Sequence, residues 1–147
     1  MKALITFVLI GLFSCSFSNQ STFVDKQDMK PKIRLNGLND DHPNKEMMEW
    51  FLNNYEEAFI EKREDTGKLE NENLIQNIFH FQTKRSGVSL VLIFCDNGND
   101  ALTVGKTNFS SAENNQYFGT NGAVLFVVKG SDNDKVTSVL GFFAGEE

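Results

Sequence analysis

The chain is poor in the residues from which catalytic and metal centres are usually built: 147 residues hold two histidines, His42 and His80, and two cysteines, Cys15 and Cys95. So few ligands cannot supply the paired spacing of a zinc site, and a nucleophile would have few bases to draw on. The expectation is a protein that is not an enzyme, with no catalytic residue, no cofactor and no metal. Basic charge is also scarce, 14 Lys and Arg against 20 Asp and Glu for a formal charge of -6. With no basic stripe interleaved with aromatics, nucleic acid is disfavoured as a partner, because that affinity depends on neutralising phosphates. No apolar run is long enough to cross a bilayer. That of residues 3–13, 11 residues, falls short of the ~20 that a spanning helix needs.

What the chain does contain is material for one packed core. Hydrophobic residues make up 40%, and 14 Phe supply bulk. A chain of this length fits one domain of ordinary size. The apolar run follows Met1-Lys2 and ends at Ser14-Cys15, so it reads as the h-region of an export signal covering residues 1–14. Leu12-Phe13-Ser14-Cys15 resembles the lipobox of bacterial lipoproteins, in which the Cys after a small residue becomes the lipidated N-terminus. The resemblance implies acylation of Cys15, a membrane anchor through its acyl chains, and, since Ser16 is not Asp, an outer-membrane destination facing periplasm or cell surface. The resemblance covers the leader alone. Cleavage after Ser16-Phe17-Ser18, which would release the chain without Cys15, stays open, as does an uncleaved anchor. With Cys15 acylated, Cys95 has no partner for an intrachain disulfide.

Residues 15–44 are polar, carry both prolines, Pro31 and Pro43, and read as a flexible tether with a reach on the order of 30 Å. A short strand near residues 32–35 is an alternative for its last part. The globular domain is expected over residues 45–147. Asn44 can cap a helix in which Met47, Met48, Phe51, Leu52, Tyr55, Ala58 and Phe59 form one apolar face, ending by Thr66-Gly67. Leu69, Leu74, Ile75, Ile78 and Phe79 suggest a second, shorter helix that passes into a strand from about Ile78. Residues 88–94 are apolar on both faces and predict a central strand covered on both sides. Asp96-Asn97-Gly98-Asn99-Asp100 reads as a turn, residues 101–107 as a short strand, and residues 108–121 as an Asn-rich loop. Residues 122–129 and 135–144 read as two strands joined by a turn. The sum is an α+β domain, with one or two N-terminal helices packed on a mostly antiparallel sheet of four to five strands.

Local motifs add little chemistry. Gly105-Lys106-Thr107 lacks the first glycine of a phosphate-binding loop, since residue 100 is Asp, and it leads into expected loop where that motif needs a helix. The acidic turns at 96–100 and 132–134 miss the register of a calcium loop. Cys95, ending an apolar strand, reads as a small buried hydrophobe. Trp50, on the flank of the first helix, is the candidate partner contact: it either packs at the helix margin or stands out as an aromatic anchor. The function expected from these residues is that of a membrane-anchored envelope lipoprotein, a protein-interaction or accessory subunit such as one of a secretion or surface-assembly machine. The alternatives are a secreted or surface inhibitor or immunity-type protein, and a small-ligand-binding domain.

Overall fold

The computed structural model describes residues 32–65, 67–110 and 115–146. The leader and Cys15 lie outside the described residues. Helix α1 spans Lys45–Asn54 and buries Met48, Glu49 and Leu52. Asn44 stands at its N-cap position without capping it. Its side chain donates instead to the Asn121 carbonyl (3.2 Å) and accepts from the Ala123 N–H (3.4 Å), tying the helix to a distant hairpin.

The apolar periodicity that suggested helix as far as Phe59 is interrupted at Tyr55. The side chains of Asn53 and Asn54 donate back to the carbonyls of Glu49 (2.6 Å) and Trp50 (2.8 Å), one turn earlier, a local side-chain bond that competes with continuation of the helix. Tyr55 then turns to extended backbone and Phe59 opens strand β1, Phe59–Lys62. Both rings still enter the core on which α1 packs. The expected second helix is absent. A 3₁₀ turn at Glu72–Leu74 leads into β2, Ile75–Thr83, where β-branched and aromatic residues pair with β3, Ser89–Cys95.

Two segments read as strand are helices. Helix α2 covers Gly98–Phe109 and α3 covers Asn133–Ala144. The Asp- and Asn-rich stretches before them are helix caps rather than hairpin turns: the Asn97 side chain accepts from the N–H groups of Asn99 and Asp100, and that of Asp132 from Asp134 and Lys135. These residue types bond their own downstream backbone in both settings, so composition does not separate turn from cap. Part of the Asn-rich loop is strand β4, Gln116–Asn121. It forms a hairpin with β5, Val124–Lys129, through Gly122 and Ala123. Gly122 has φ +55°, the left-handed value that such a two-residue turn requires at its first position.

The α+β class is thus observed, with helices distributed through the chain. The five strands among the described residues form one antiparallel sheet in the order β1-β2-β3-β5-β4. Strand β3 is central and covered on both faces, as its doubly apolar pattern demands. One core holds Leu90, Leu92 and Phe94 of β3 with α1 and α3; the other holds Ile93 and Cys95 with α2. Gly105 lies within α2, where an added Cβ would stand 2.7 Å from the Phe118 ring and 3.0 Å from Leu125. The glycine that resembled part of a phosphate loop serves close packing of helix on sheet.

The last part of the expected tether packs on the domain without becoming a strand. Leu35 and Leu38 are buried in the larger core. The buried Glu49 carboxylate accepts from the Leu35 N–H (2.9 Å) and from the Arg34 guanidinium (2.7 Å). Asn53 accepts from the N–H groups of Lys32 (2.7 Å) and Ile33 (2.8 Å). At the other end of this strap, buried His42 donates through Nε2 to the Cys95 carbonyl (3.0 Å) and accepts the Asn44 N–H at Nδ1 (3.3 Å), with its ring edge-on to Phe94.

Candidate interaction surface

Trp50 sits on the solvent side of α1 and is 50% exposed. Its indole stacks on Phe142 of α3, with centroids 6.3 Å apart and planes inclined by 18°, and meets the Phe51 ring edge-on at 5.4 Å. Phe142 in turn contacts Phe51 at 4.9 Å and Tyr55 at 5.0 Å. Trp50 is therefore both supported from beneath and open from above. A rigid aromatic so held loses little conformational entropy when a partner covers it.

The surface continues along α3. Lys135, Ser138 and Phe142 follow one another at helical spacing and share a face. The Tyr55 hydroxyl donates to Ser138 Oγ (3.1 Å), and Lys135 Nζ bonds Glu56 (2.6 Å). Beyond them lies an open cleft of about 440 Å³ lined by Glu56, Glu57, Arg85, Ser86 and Lys135. Glu57 is buried there and accepts from the Ser86 N–H (2.6 Å) and Oγ–H (2.7 Å). Burial pushes its pKa up, but the bonds from Ser86 and from the Arg85 backbone, together with the nearby positive charge of Lys135, outweigh it, so the carboxyl is held below the usual value. A carboxylate so stabilised is a weak base, and Ser86 also meets Thr83 Oγ1 at 2.8 Å. This arrangement locks the turn between β2 and β3.

None of the Phe142, Tyr55, Ser138 and Lys135 contacts was legible while α3 read as a strand. The signal was present: Val136, Val139, Leu140 and Phe143 recur at i, i+3, i+4 and i+7 after Asp132. The remaining chemical candidates do not gather. His42 is absorbed by the strap, and His80 lies on β2, paired in register with Lys62 and Val91. Among the described residues no group of three His, Cys, Asp or Glu could hold a metal ion, and no helix is long and apolar enough to cross a membrane.

Cys95 is fully buried, and its thiol is pushed up to about 11 by burial, then by Asp100 and Asp96. Iodoacetamide at pH 8 is expected to leave Cys95 unmodified in the native state and to alkylate it in urea, read by peptide mass spectrometry; equal modification in both would contradict the burial. The raised folded value has a definite sign in stability. The thiol's contribution is complete below its ordinary value near 9.0 and is lost as pH rises toward about 11.

Comparison with family models, curated proteins and solved structures gave no match for this chain. Its function is therefore argued from its residues.

Proposed function

We propose that this chain is a lipid-anchored protein of the bacterial cell envelope that binds another protein through the Trp50 surface, as an accessory subunit rather than an enzyme. The observation that carries the binding role is the half-exposed Trp50 braced by Phe142 and Phe51 across two helices. A large aromatic left open on a rigid support is the usual centre of a protein interface. The anchor rests on Leu12-Phe13-Ser14-Cys15 behind the short apolar leader. In this reading the acyl chains on Cys15 hold the protein at a membrane, most naturally the outer one, and the segment ahead of Lys32 sets how far the domain stands from it.

Two measurements test the proposal. A palmitate analogue is expected to label the wild-type chain and not Cys15→Ala; equal labelling would end the anchor. Affinity capture from envelope extracts is expected to enrich a protein with the wild type and lose it with Trp50→Ala. Because Trp50 is half exposed, that variant should keep its urea midpoint. Capture unchanged at unchanged stability would remove Trp50 from the interface.

A further inference from the structure

The two edges of the sheet are finished differently. Strand β1 is a four-residue edge whose last three residues are exposed and include Glu61 and Lys62. Short length and charge are what keep an edge from pairing with another chain. Strand β4, the opposite edge, has six residues, Gln-Tyr-Phe-Gly-Thr-Asn, and no charge. Nothing in it opposes pairing.

Its outward backbone groups can be assigned. The Cys95 N–H donates to the Ala123 carbonyl (2.9 Å), so the odd-numbered residues of β5 face β3 and the even-numbered ones face β4. Register with β5 then turns the backbone of Tyr117, Gly119 and Asn121 inward, and that of Gln116, Phe118 and Thr120 out. Exposed apolar side chains flank this edge on both faces of the sheet. Tyr117, 43% exposed, lies on the α3 face, opposite Val128. On the α2 face, Gly98, Leu102 and Gly105 share one line of the helix; its glycines abut the Gly122 carbonyl and the Phe118 ring, which places Leu102, 38% exposed, over β4. Two of the four large hydrophobics left exposed among the described residues thus frame the one uncharged edge.

We propose that β4 pairs with β4 of a second copy of this chain, antiparallel about a two-fold axis at Phe118, giving one continuous ten-stranded sheet, a count that follows from five strands in each copy. The strand is self-complementary in that register. Phe118 faces its own equivalent and Gln116 faces Thr120, so the outward groups form about six hydrogen bonds. Tyr117 falls opposite Gly119 of the other copy in a close, non-hydrogen-bonded pair, roughly 4.5 Å between Cα atoms. The strand's one glycine presents no side chain of its own there. Within each copy the Phe126 ring already lies over Gly119, where an added Cβ would stand 2.6 Å away, and it gives the incoming Tyr117 an aromatic neighbour. An uncharged strand also lets two copies of a chain of formal charge -6 approach without like charges in register.

Disulfide trapping in the full chain, in membranes, reads both pairing and register. The double variant Gln116→Cys/Thr120→Cys is expected to become mainly covalent dimer on mild oxidation, while each single variant stays at the background of the parent chain. Adding Leu102→Glu, a surface change, is expected to reduce trapping sharply with the urea midpoint unchanged. No dimer above background in the double variant overturns the proposal, as does equal trapping in the single variants, which marks random collision. Trapping unaffected by a matching pair on β1, Ile60→Lys/Glu61→Lys, is expected; its loss there would place the contact on the wrong edge.

Discussion

Replacing Phe143 by Ala is expected to lower the unfolding free energy by about 3–5 kcal/mol, the cost of a large cavity in a well-packed core. Phe143 is fully buried on α3, and its ring lies 5.7 Å from Phe51, 5.9 Å from Phe59, 6.1 Å from Phe126 and 5.5 Å from Phe142. Those neighbours come from α1, β1, β5 and α3, so they cannot collapse together without moving the sheet against its helices. A loss of this size is a large fraction of the ~5–15 kcal/mol that holds a typical domain. Urea unfolding measures it, with Thr137→Ala on the exposed side of the same helix as a control expected to stay within about 0.5 kcal/mol. A midpoint unchanged in Phe143→Ala would mean that α3 is not packed as described. The same substitution loosens Phe142, the platform beneath Trp50. Trp50 is the one tryptophan in the chain, so its emission in the folded variant should shift to the red.

The second large effect is expected from Glu49→Ala, at about 2–3 kcal/mol. The carboxylate is almost fully buried, and its loss leaves the buried Leu35 N–H without a partner while removing a charge-assisted bond from Arg34. The Arg34 side chain is 51% exposed, so water resolvates its charge, and the cost stays below that of breaking a fully buried ion pair. Glu49→Gln should cost less, because an amide oxygen can still accept from Leu35. Native-state hydrogen exchange at Leu35 is the direct readout: Glu49→Ala should speed it relative to the sheet amides. Equal protection in both proteins would mean that the strap is held without the Glu49 carboxylate, by the packing of Leu35 and Leu38 and the bonds of Asn53 and His42.

These two side chains also mark what could be read in advance and what could not. Strand β3 was legible because its apolar residues fall on both faces, and only a central, doubly covered strand can bury both. Helix α1 was legible from its apolar face, though not its end, since Tyr55 and Phe59 reach the same core from extended backbone as they would from helix. Helix α2 was not legible as a helix, and α3 was legible only in the i, i+3, i+4, i+7 spacing of Val136, Val139, Leu140 and Phe143. Val104, Val136 and Val139 favour strand by residue type although their spacing is helical, and Asn97 and Asp132 suit turns and caps equally. The strap was missed because its anchors, Leu35, Leu38 and His42, are isolated apolar or aromatic residues in a polar stretch, and their burial depends on Glu49 and Cys95 far along the chain.

By itself, then, the amino-acid order determined an α+β domain with a Phe-rich core and a central β3. These follow from local periodicity and composition, which every segment carries on its own. Only the tertiary structure decided that α1 and α3 share one face of the sheet, that Phe142 braces Trp50, and that uncharged β4 ends the sheet among the described residues. Those are pairings between segments far apart in sequence, and no local pattern records which distant surface a residue will meet.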